Sequence, residues 1–294
     1  MKLRIANLFE LARLDAKHAE SCLADSPNNA AYHAQQCAEK SLKAVLLELS
    51  DVKDGQEEQF LKEIGHHSSR TLMRSIGQVI MRTFDRSGYG AHAGKFRNPQ
   101  SPAETMAAAL YQMFPVFVQG VVKQLDGLSA LEPPDAWQRS LDENLTPQLH
   151  LDMPDQSSQG LESAMHVVNA MLALLNLSPL TRNNFGGFVD RLNDAAERSE
   201  SQGQPDLANA FRRAIKEVNR LTALIPWLVA CSWAPYLDAH AVTGRYPNAE
   251  QLEVYKTRIA GVRNLVDKSK QIMDQSKNLL PVEGSKLSSR PFQE

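Results

Sequence analysis

The chain has 294 residues, and its 32 Lys and Arg residues against 34 Asp and Glu residues give a formal net charge of −2. This length can bury one large core or two smaller ones, and the near-neutral charge excludes attachment to nucleic acid by bulk charge alone. The three cysteines, Cys22, Cys37 and Cys231, are an odd number and indicate reduced thiols. Charged residues interrupt the N-terminal apolar stretch where a signal peptide would need its core, so we expect a cytoplasmic protein.

Helical periodicity runs through nearly the whole chain, and no segment shows the alternation typical of a strand. The fold class that this predicts is all-α. The first helix covers about Leu3 to Leu23, with apolar and small residues on its inner face. Ser26 then caps a second helix whose first position is Pro27. The short break between the two helices predicts an antiparallel hairpin.

The second helix carries a narrow polar stripe. Residues about 100° apart on the helix place four polar side chains on one face: His33, Gln36, Lys40 and Lys43. The opposite face is apolar and comprises Ala34, Ala38, Leu42, Val45 and Leu46. From periodicity alone, the stripe is an ordinary solvated face of an amphipathic helix.

Further along, the polar segment "SDVKDGQEEQFLKEIGHH" is predicted to be a loop that ends where Ser68 or Ser69 caps a third helix. After Phe84 the helical pattern breaks in a segment rich in Gly and Pro. Helices are predicted at about 103–125, 161–177, 185–198 and 207–240. The uncharged run 221–237 is short for a membrane span and contains two prolines, which favours a buried, bent helix over insertion in a bilayer.

The stretch "GRYPN" separates this long helix from the last one. Pro247 fixes its own φ and biases Tyr246 toward extended geometry, so the long helix should end near Gly244. Asn248 is the predicted cap of the final helix, with Gln251 three residues on completing a capping box. Arg245 and Tyr246 would then lie on a stiff corner, where they either contact a ligand or serve as a structural cap and a core residue.

His18 and Cys22 share the four-residue spacing of His33 and Cys37, and histidine and cysteine are the residue types that bind zinc in proteins. In a hairpin that turns near Ser26 the two cysteines would be about 10 Å apart along the helix axis, given a rise of 1.5 Å per residue. One tetrahedral zinc ion cannot reach all four side chains. The sequence therefore predicts no metal, and it indicates no cofactor.

Two segments resemble a known family. "LARLDAKHAESCLADSPNNAAYHAQQCAEKSLKAVLLE", followed by "GHHSSRTL", resembles the first three helices of HEPN domains, and "DAHAVTGRYPNAEQLEVYKTRIAGVRNLVDKSKQIM" resembles their end. The resemblance implies a HEPN-type antiparallel helical bundle in two parts, residues 1–83 and 219–280. Residues 84–218 would be a helical insertion and 281–294 a flexible tail. Two tandem HEPN-like units are the alternative, because "AHAGKFRNPQSPAET" echoes "AHAVTGRYPNAEQ".

The resemblance also implies a function, the binding of a nucleotide or single-stranded RNA in a groove near a homodimer surface. The residues that it places there are His33, Gln36, Lys40, Lys43, Arg245 and Tyr246. The lysines would supply point charges for phosphate, and Arg245 a bidentate fork. An antitoxin-type protein is a further partner that the family implies. The alternative function is that of a non-catalytic interaction module, which would use the stripe only to pair helices.

Ribonucleolytic HEPN proteins carry an arginine followed after four to six residues by a histidine. The resemblance implies metal-independent cleavage, with the imidazole transferring a proton and the guanidinium stabilising charge on phosphorus. Two spacings fit, Arg13 to His18 in the first helix and Arg86 to His92 after the third. Arg86 and His92 are the candidate catalytic pair of an endoribonuclease that would act as a toxin or a phage-defence effector.

Overall fold

The computed structural model describes residues 3–50, 52–53, 55–65, 68–86, 98–130, 136–145 and 186–280. Within these ranges the chain forms helices and no strand, so the predicted all-α class is confirmed. The helices are α1 (Leu3–Cys22), α2 (Pro27–Leu49), α3 (Glu57–Ile64), α4 (Ser69–Arg86), α5 (Pro102–Ala130), α6 (Ala136–Arg139), α7 (Gly186–Ser201), α8 (Pro205–Cys231), α9 (Ala234–Asp238), α10 (His240–Thr243), α11 (Ala249–Thr257) and α12 (Ile259–Asn278).

The chain divides into two compact units. The first comprises Met1–Ile80, Val122–Leu149 and Ala223–Gln293, and the second comprises Met81–Val121 and His150–Thr222. In the first unit, α1 and α12 both pack against α2. Alanines line much of the buried surface of α2 and let the neighbouring backbones approach closely; they are Ala30, Ala31, Ala34, Ala38 and Ala44. The helix is thereby the centre of the bundle.

Larger side chains fill the far end of this bundle. Ile5, Leu8 and Phe9 of α1 form a buried cluster with Leu47 of α2 and Leu280. Burial of such side chains is worth roughly 1.5–3 kcal/mol each before entropy is counted. The inner face predicted for α1 from its period is therefore the face that packs.

The second unit contains α7 and the first part of α8. The turn between them places Gly203 at φ 72°, a left-handed conformation that L side chains rarely adopt. Gly203 N–H donates to the backbone carbonyl of Glu200 at 3.0 Å, and Arg212 of α8 forms an ion pair with the side-chain carboxylate of the same residue. Phe211 is fully buried in this unit. A glycine-dependent turn therefore joins two amphipathic helices here.

Three of the predicted boundaries differ from the structure. The segment predicted as a loop before the third helix contains α3. The negative charges of Glu57 and Glu58 in its first turn interact favourably with the positive end of the helix dipole, and Phe60 packs against the core cluster. The predicted helix 207–240 breaks after Cys231, and the next helix, α9, begins at Ala234 with Pro235 in its first turn. The predicted last helix breaks at Arg258, which leaves the helical backbone conformation.

Most of the uncharged run 221–237, from Ala223 onward, lies in the first unit. Trp227 is fully buried, and its Nε1 donates a hydrogen bond to Ser276 Oγ of α12 at 3.0 Å. Across the described part of the chain, no helix is long and apolar enough to cross a membrane. The predicted helix at 161–177 lies outside the described residues.

Candidate functional site

The corner predicted from "GRYPN" docks on the first turn of α2. Asn28 Nδ2 donates to the carbonyl of Gly244 at 3.0 Å. A Cβ on Gly244 would lie 2.9 Å from Asn28 O and 3.0 Å from Tyr32 N, so only glycine permits this approach. The capping box predicted for Asn248 and Gln251 is present at the start of α11. Gly244 therefore permits the corner to approach α2 closely, and the capping box fixes where the chain leaves the corner into α11.

Docking brings the arginine of the corner between two tyrosines. The guanidinium carbon of Arg245 lies 5.8 Å from the ring centroid of Tyr32 on α2 and 5.1 Å from that of Tyr246. Arg245 is exposed, and Tyr246 is 68% exposed. Such cation–π contacts are worth about 0.5–1 kcal/mol at exposed sites. The corner thus holds a guanidinium between rings in solvent, and Tyr246 does not pack in the core.

The line of planar groups continues along α2 to α1. The ring centroids of Tyr32 and His33 are 5.4 Å apart, and those of His33 and His18 are 5.2 Å apart, both pairs edge-on. We call these five side chains the aromatic–arginine row: Tyr246, Arg245, Tyr32, His33 and His18. Two consecutive helices, α1 and α2, and the distant corner contribute to it.

Two residues of the polar stripe, His33 and Lys40, face an aspartate on α1. Asp15 is nearly buried, and its Oδ1 lies 3.0 Å from His33 Nδ1 while its Oδ2 forms an ion pair with Lys40 Nζ. The side chains of His33 and Lys40 retain about a quarter of their exposure, 26% and 24%. Both stripe residues are therefore partners of a single carboxylate across the hairpin.

The other two residues of the stripe, Gln36 and Lys43, contact a second carboxylate, that of Glu39 on α2 itself. Lys43 Nζ lies 2.7 Å from Glu39 Oε1, and these side chains are only 11% and 7% exposed. Gln35 and Gln36 donate to the other oxygen of Glu39 at 3.2 and 3.3 Å. The stripe predicted to be solvated or to meet a ligand is half-buried and internally paired.

Behind the corner lies a buried chain of hydroxyl and imidazole groups. His240 is fully buried, with Nε2 2.7 Å from Ser140 Oγ and Nδ1 2.7 Å from the hydroxyl of Tyr255. The Tyr255 hydroxyl lies 3.0 Å from Thr243 Oγ1. Burial lowers the pKa of His240 to about 3, so the imidazole is neutral. This chain joins α10 and α11, which flank the corner.

A carboxylate also fixes the start of α4 beneath the corner helices. Asp238 of α9 accepts hydrogen bonds from the backbone N–H groups of Ser69 at 2.9 Å and Arg70 at 3.0 Å. Burial raises the pKa of Asp238, and the two N–H donors act in the opposite direction. The contact caps a helix N-terminus, where a negative charge is favourable.

One comparison with known proteins matches the N-terminal hairpin of α1 and α2. Residues 5–57 match the family model described as the HEPN domain. The predicted resemblance of the N-terminal hairpin to HEPN domains is therefore confirmed over these residues. No curated protein and no solved structure matches the chain.

The HEPN match spans α1, α2 and the start of α3, and so covers four of the six predicted binding residues. Arg245 and Tyr246 lie outside it, at the corner. The assignment of residues 84–218 as an insertion into one HEPN bundle stays a prediction, as does the tandem alternative. Arg86 ends α4, but its side chain and the whole of His92 lie outside the described residues.

Sequence reasoning on the HEPN hairpin missed Tyr32, Asp15 and the contribution of His18. Tyr32 directly precedes His33, the first residue of the stripe. That position was the only hint in the sequence that its ring would lie near the stripe. Asp15 gives no signal in its own helix, because its role depends on which residues of α2 lie opposite. The buried Cys37 thiol donates instead to Ser269 O at 3.7 Å, away from the histidines.

Proposed function

We propose that this chain binds single-stranded RNA, or a nucleotide as its smallest unit, on the aromatic–arginine row. The observation that carries the proposal is the exposed guanidinium of Arg245 between the rings of Tyr32 and Tyr246. A HEPN domain supports a role of this class.

Stacking supplies most of the affinity in this proposal. Aromatic side chains that stack on bases contribute roughly 1–3 kcal/mol per base and tolerate any sequence, because every base has a flat face. Tyr246 offers the largest exposed ring, and Arg245 can stack and still direct N–H groups to a phosphate. His33, next to the inner end of the row, would orient a base or sugar. The row therefore suits an unpaired strand and not a duplex.

Lys40 and Lys43 have a secondary place in the proposal. Each already has a carboxylate partner, so a phosphate would have to compete with Asp15 or Glu39 for the ammonium group. We assign the principal phosphate contact to Arg245 and treat Gln36 and the two lysines as supports of the hairpin. Few phosphate contacts imply a shallow dependence of affinity on salt, since the slope follows the number of phosphates neutralised.

The test is fluorescence anisotropy with a labelled single-stranded RNA of mixed sequence. Arg245→Ala and Tyr246→Ala should each weaken binding roughly 5- to 150-fold, the equivalent of about 1–3 kcal/mol. Arg263→Ala is the matched control, because Arg263 is also exposed but lies on α12. Arg245→Lys keeps the charge without the planar group and should recover only part of the loss.

Two results would contradict the proposal. One is wild-type protein that binds neither RNA nor a nucleotide competitor. The other is an RNA affinity in Arg245→Ala and Tyr246→Ala equal to that of Arg263→Ala. Circular dichroism and thermal melting of each variant would show that a loss of binding is not a loss of fold.

A further inference from the structure

Three potential metal ligands meet at the inner end of the row. Asp15 and His18 are three residues apart on α1 and so share one face, and His33 comes from the facing helix α2. One ligand atom of each residue, a carboxylate oxygen and two imidazole nitrogens, lies within 4.8 Å of the other two. This set differs from the His and Cys combination that the spacing suggested, because Asp15 takes the place of both cysteines.

The spacing of these atoms fits ligands of one ion. Donors bound to zinc at about 2.0–2.2 Å with tetrahedral angles between them lie about 3.3–3.6 Å apart. Asp15 Oδ1 and His33 Nδ1 already stand 3.0 Å apart. His18 is exposed, so its ring can turn to bring the third donor closer without disturbing the core.

A neighbouring lysine orients the carboxylate of the set. Lys40 Nζ contacts Asp15 Oδ2, which fixes the rotation of the carboxylate and leaves Oδ1 directed at the histidines. Hydrogen-bonding partners of this kind orient metal ligands in known sites. Asp15 is nearly buried and His18 is exposed, so the set has a fixed inner wall and an open outer side.

We propose that Asp15, His18 and His33 bind one divalent transition-metal ion of the Zn²⁺, Co²⁺ or Ni²⁺ class. Two imidazoles and one carboxylate are ligands that such ions prefer, whereas Mg²⁺ and Ca²⁺ prefer oxygen ligands. The remaining positions on the ion face solvent beside His18. The ion replaces the direct contact between Asp15 and His33 with two coordinate bonds. The metal site shares His18 and His33 with the aromatic–arginine row, but metal binding can be tested separately, because Arg245 and Tyr246 have no part in it.

The experiment is a titration of the full chain, stripped with EDTA and free of any affinity tag. Zn²⁺ binding is followed by calorimetry, and Co²⁺ binding by its visible absorption. The wild type should bind one equivalent of Zn²⁺ and gain thermal stability from it. His18→Gln and His33→Gln should each weaken binding at least tenfold, and Mg²⁺ should produce no effect.

Two control variants separate this site from other ligands of the chain. Cys22→Ser removes the thiol one turn beyond His18, and the double variant His66→Gln with His67→Gln removes a pair of adjacent histidines. Both should bind Zn²⁺ as the wild type does.

The proposal is overturned if the wild type binds no Zn²⁺, or if binding survives in the double variant His18→Gln with His33→Gln. It is also overturned if only a control variant loses binding. His18→Gln changes an exposed side chain, so this variant should remain folded in EDTA and keep the test decisive.

Discussion

Replacing His240 should remove a defined part of the acid sensitivity of this protein. Burial lowers the pKa of His240 from its ordinary value of 6.5 to about 3. The unfolded chain therefore takes up the proton first as the pH falls, and stability is lost progressively below about pH 6.5. From pH 7 to pH 5, these two pKa values give a loss of about 2 kcal/mol from this residue alone.

The matched variant is His240→Gln, which can still donate to Ser140 and accept from Tyr255 but does not titrate. Urea unfolding of both proteins at pH 7 and pH 5 gives four free energies of unfolding. Carboxylates change the stability of both proteins alike, so the difference between their pH responses isolates His240. We expect the wild type to lose about 2 kcal/mol more than the variant. Parallel losses would refute the burial argument, and an imidazole pKa near 6.5 measured by NMR would do so directly.

Four further results are expected. Lys43→Ala should lower the free energy of unfolding by about 3 kcal/mol, because it leaves Glu39 buried without its cation; urea titration measures this, and an unchanged midpoint contradicts it. Gly244→Ala should weaken RNA binding and lower the melting temperature together, since its Cβ would displace the corner from α2. If Arg86 and His92 are catalytic, the protein should cut single-stranded RNA in EDTA, and His92→Ala should abolish cleavage that a mock purification does not show. Light scattering should find a dimer, as the HEPN resemblance implies; a monomer at all concentrations would exclude it.

Local rules predicted the parts of the fold that depend on neighbouring residues. The hairpin follows from helical period and from Pro27 at the first position of α2, and the capping box of Asn248 was readable from a three-residue spacing. Ser26 precedes Pro27 as predicted, but its hydroxyl makes no capping bond to the helix backbone. The sequence thus predicted which residue precedes the helix, but not whether its side chain makes the capping hydrogen bond.

The candidate site depends on contacts that no local rule specifies. Lys40 meets Asp15 across 25 positions of sequence, and Asn28 meets Gly244 across 216. The register of the hairpin decides the first contact, and the docking of the corner on α2 decides the second. The helical periodicity of the sequence showed that one face of α2 is polar. Only the packed structure shows that these polar side chains pair with neighbouring carboxylates.

That distinction bears on where a ligand would bind. Removing a cation from a buried carboxylate costs about 3–5 kcal/mol, whereas a charge-assisted hydrogen bond to phosphate contributes about 1.5–3 kcal/mol. Lys43 would therefore lose more by leaving Glu39 than it would gain from a phosphate. Within the described part of the chain, the Arg245 guanidinium contacts the rings of Tyr32 and Tyr246 at the surface, so it loses little on turning to a phosphate. If the proposal holds, the HEPN hairpin supplies the rigid support, and the corner supplies the groups that contact RNA.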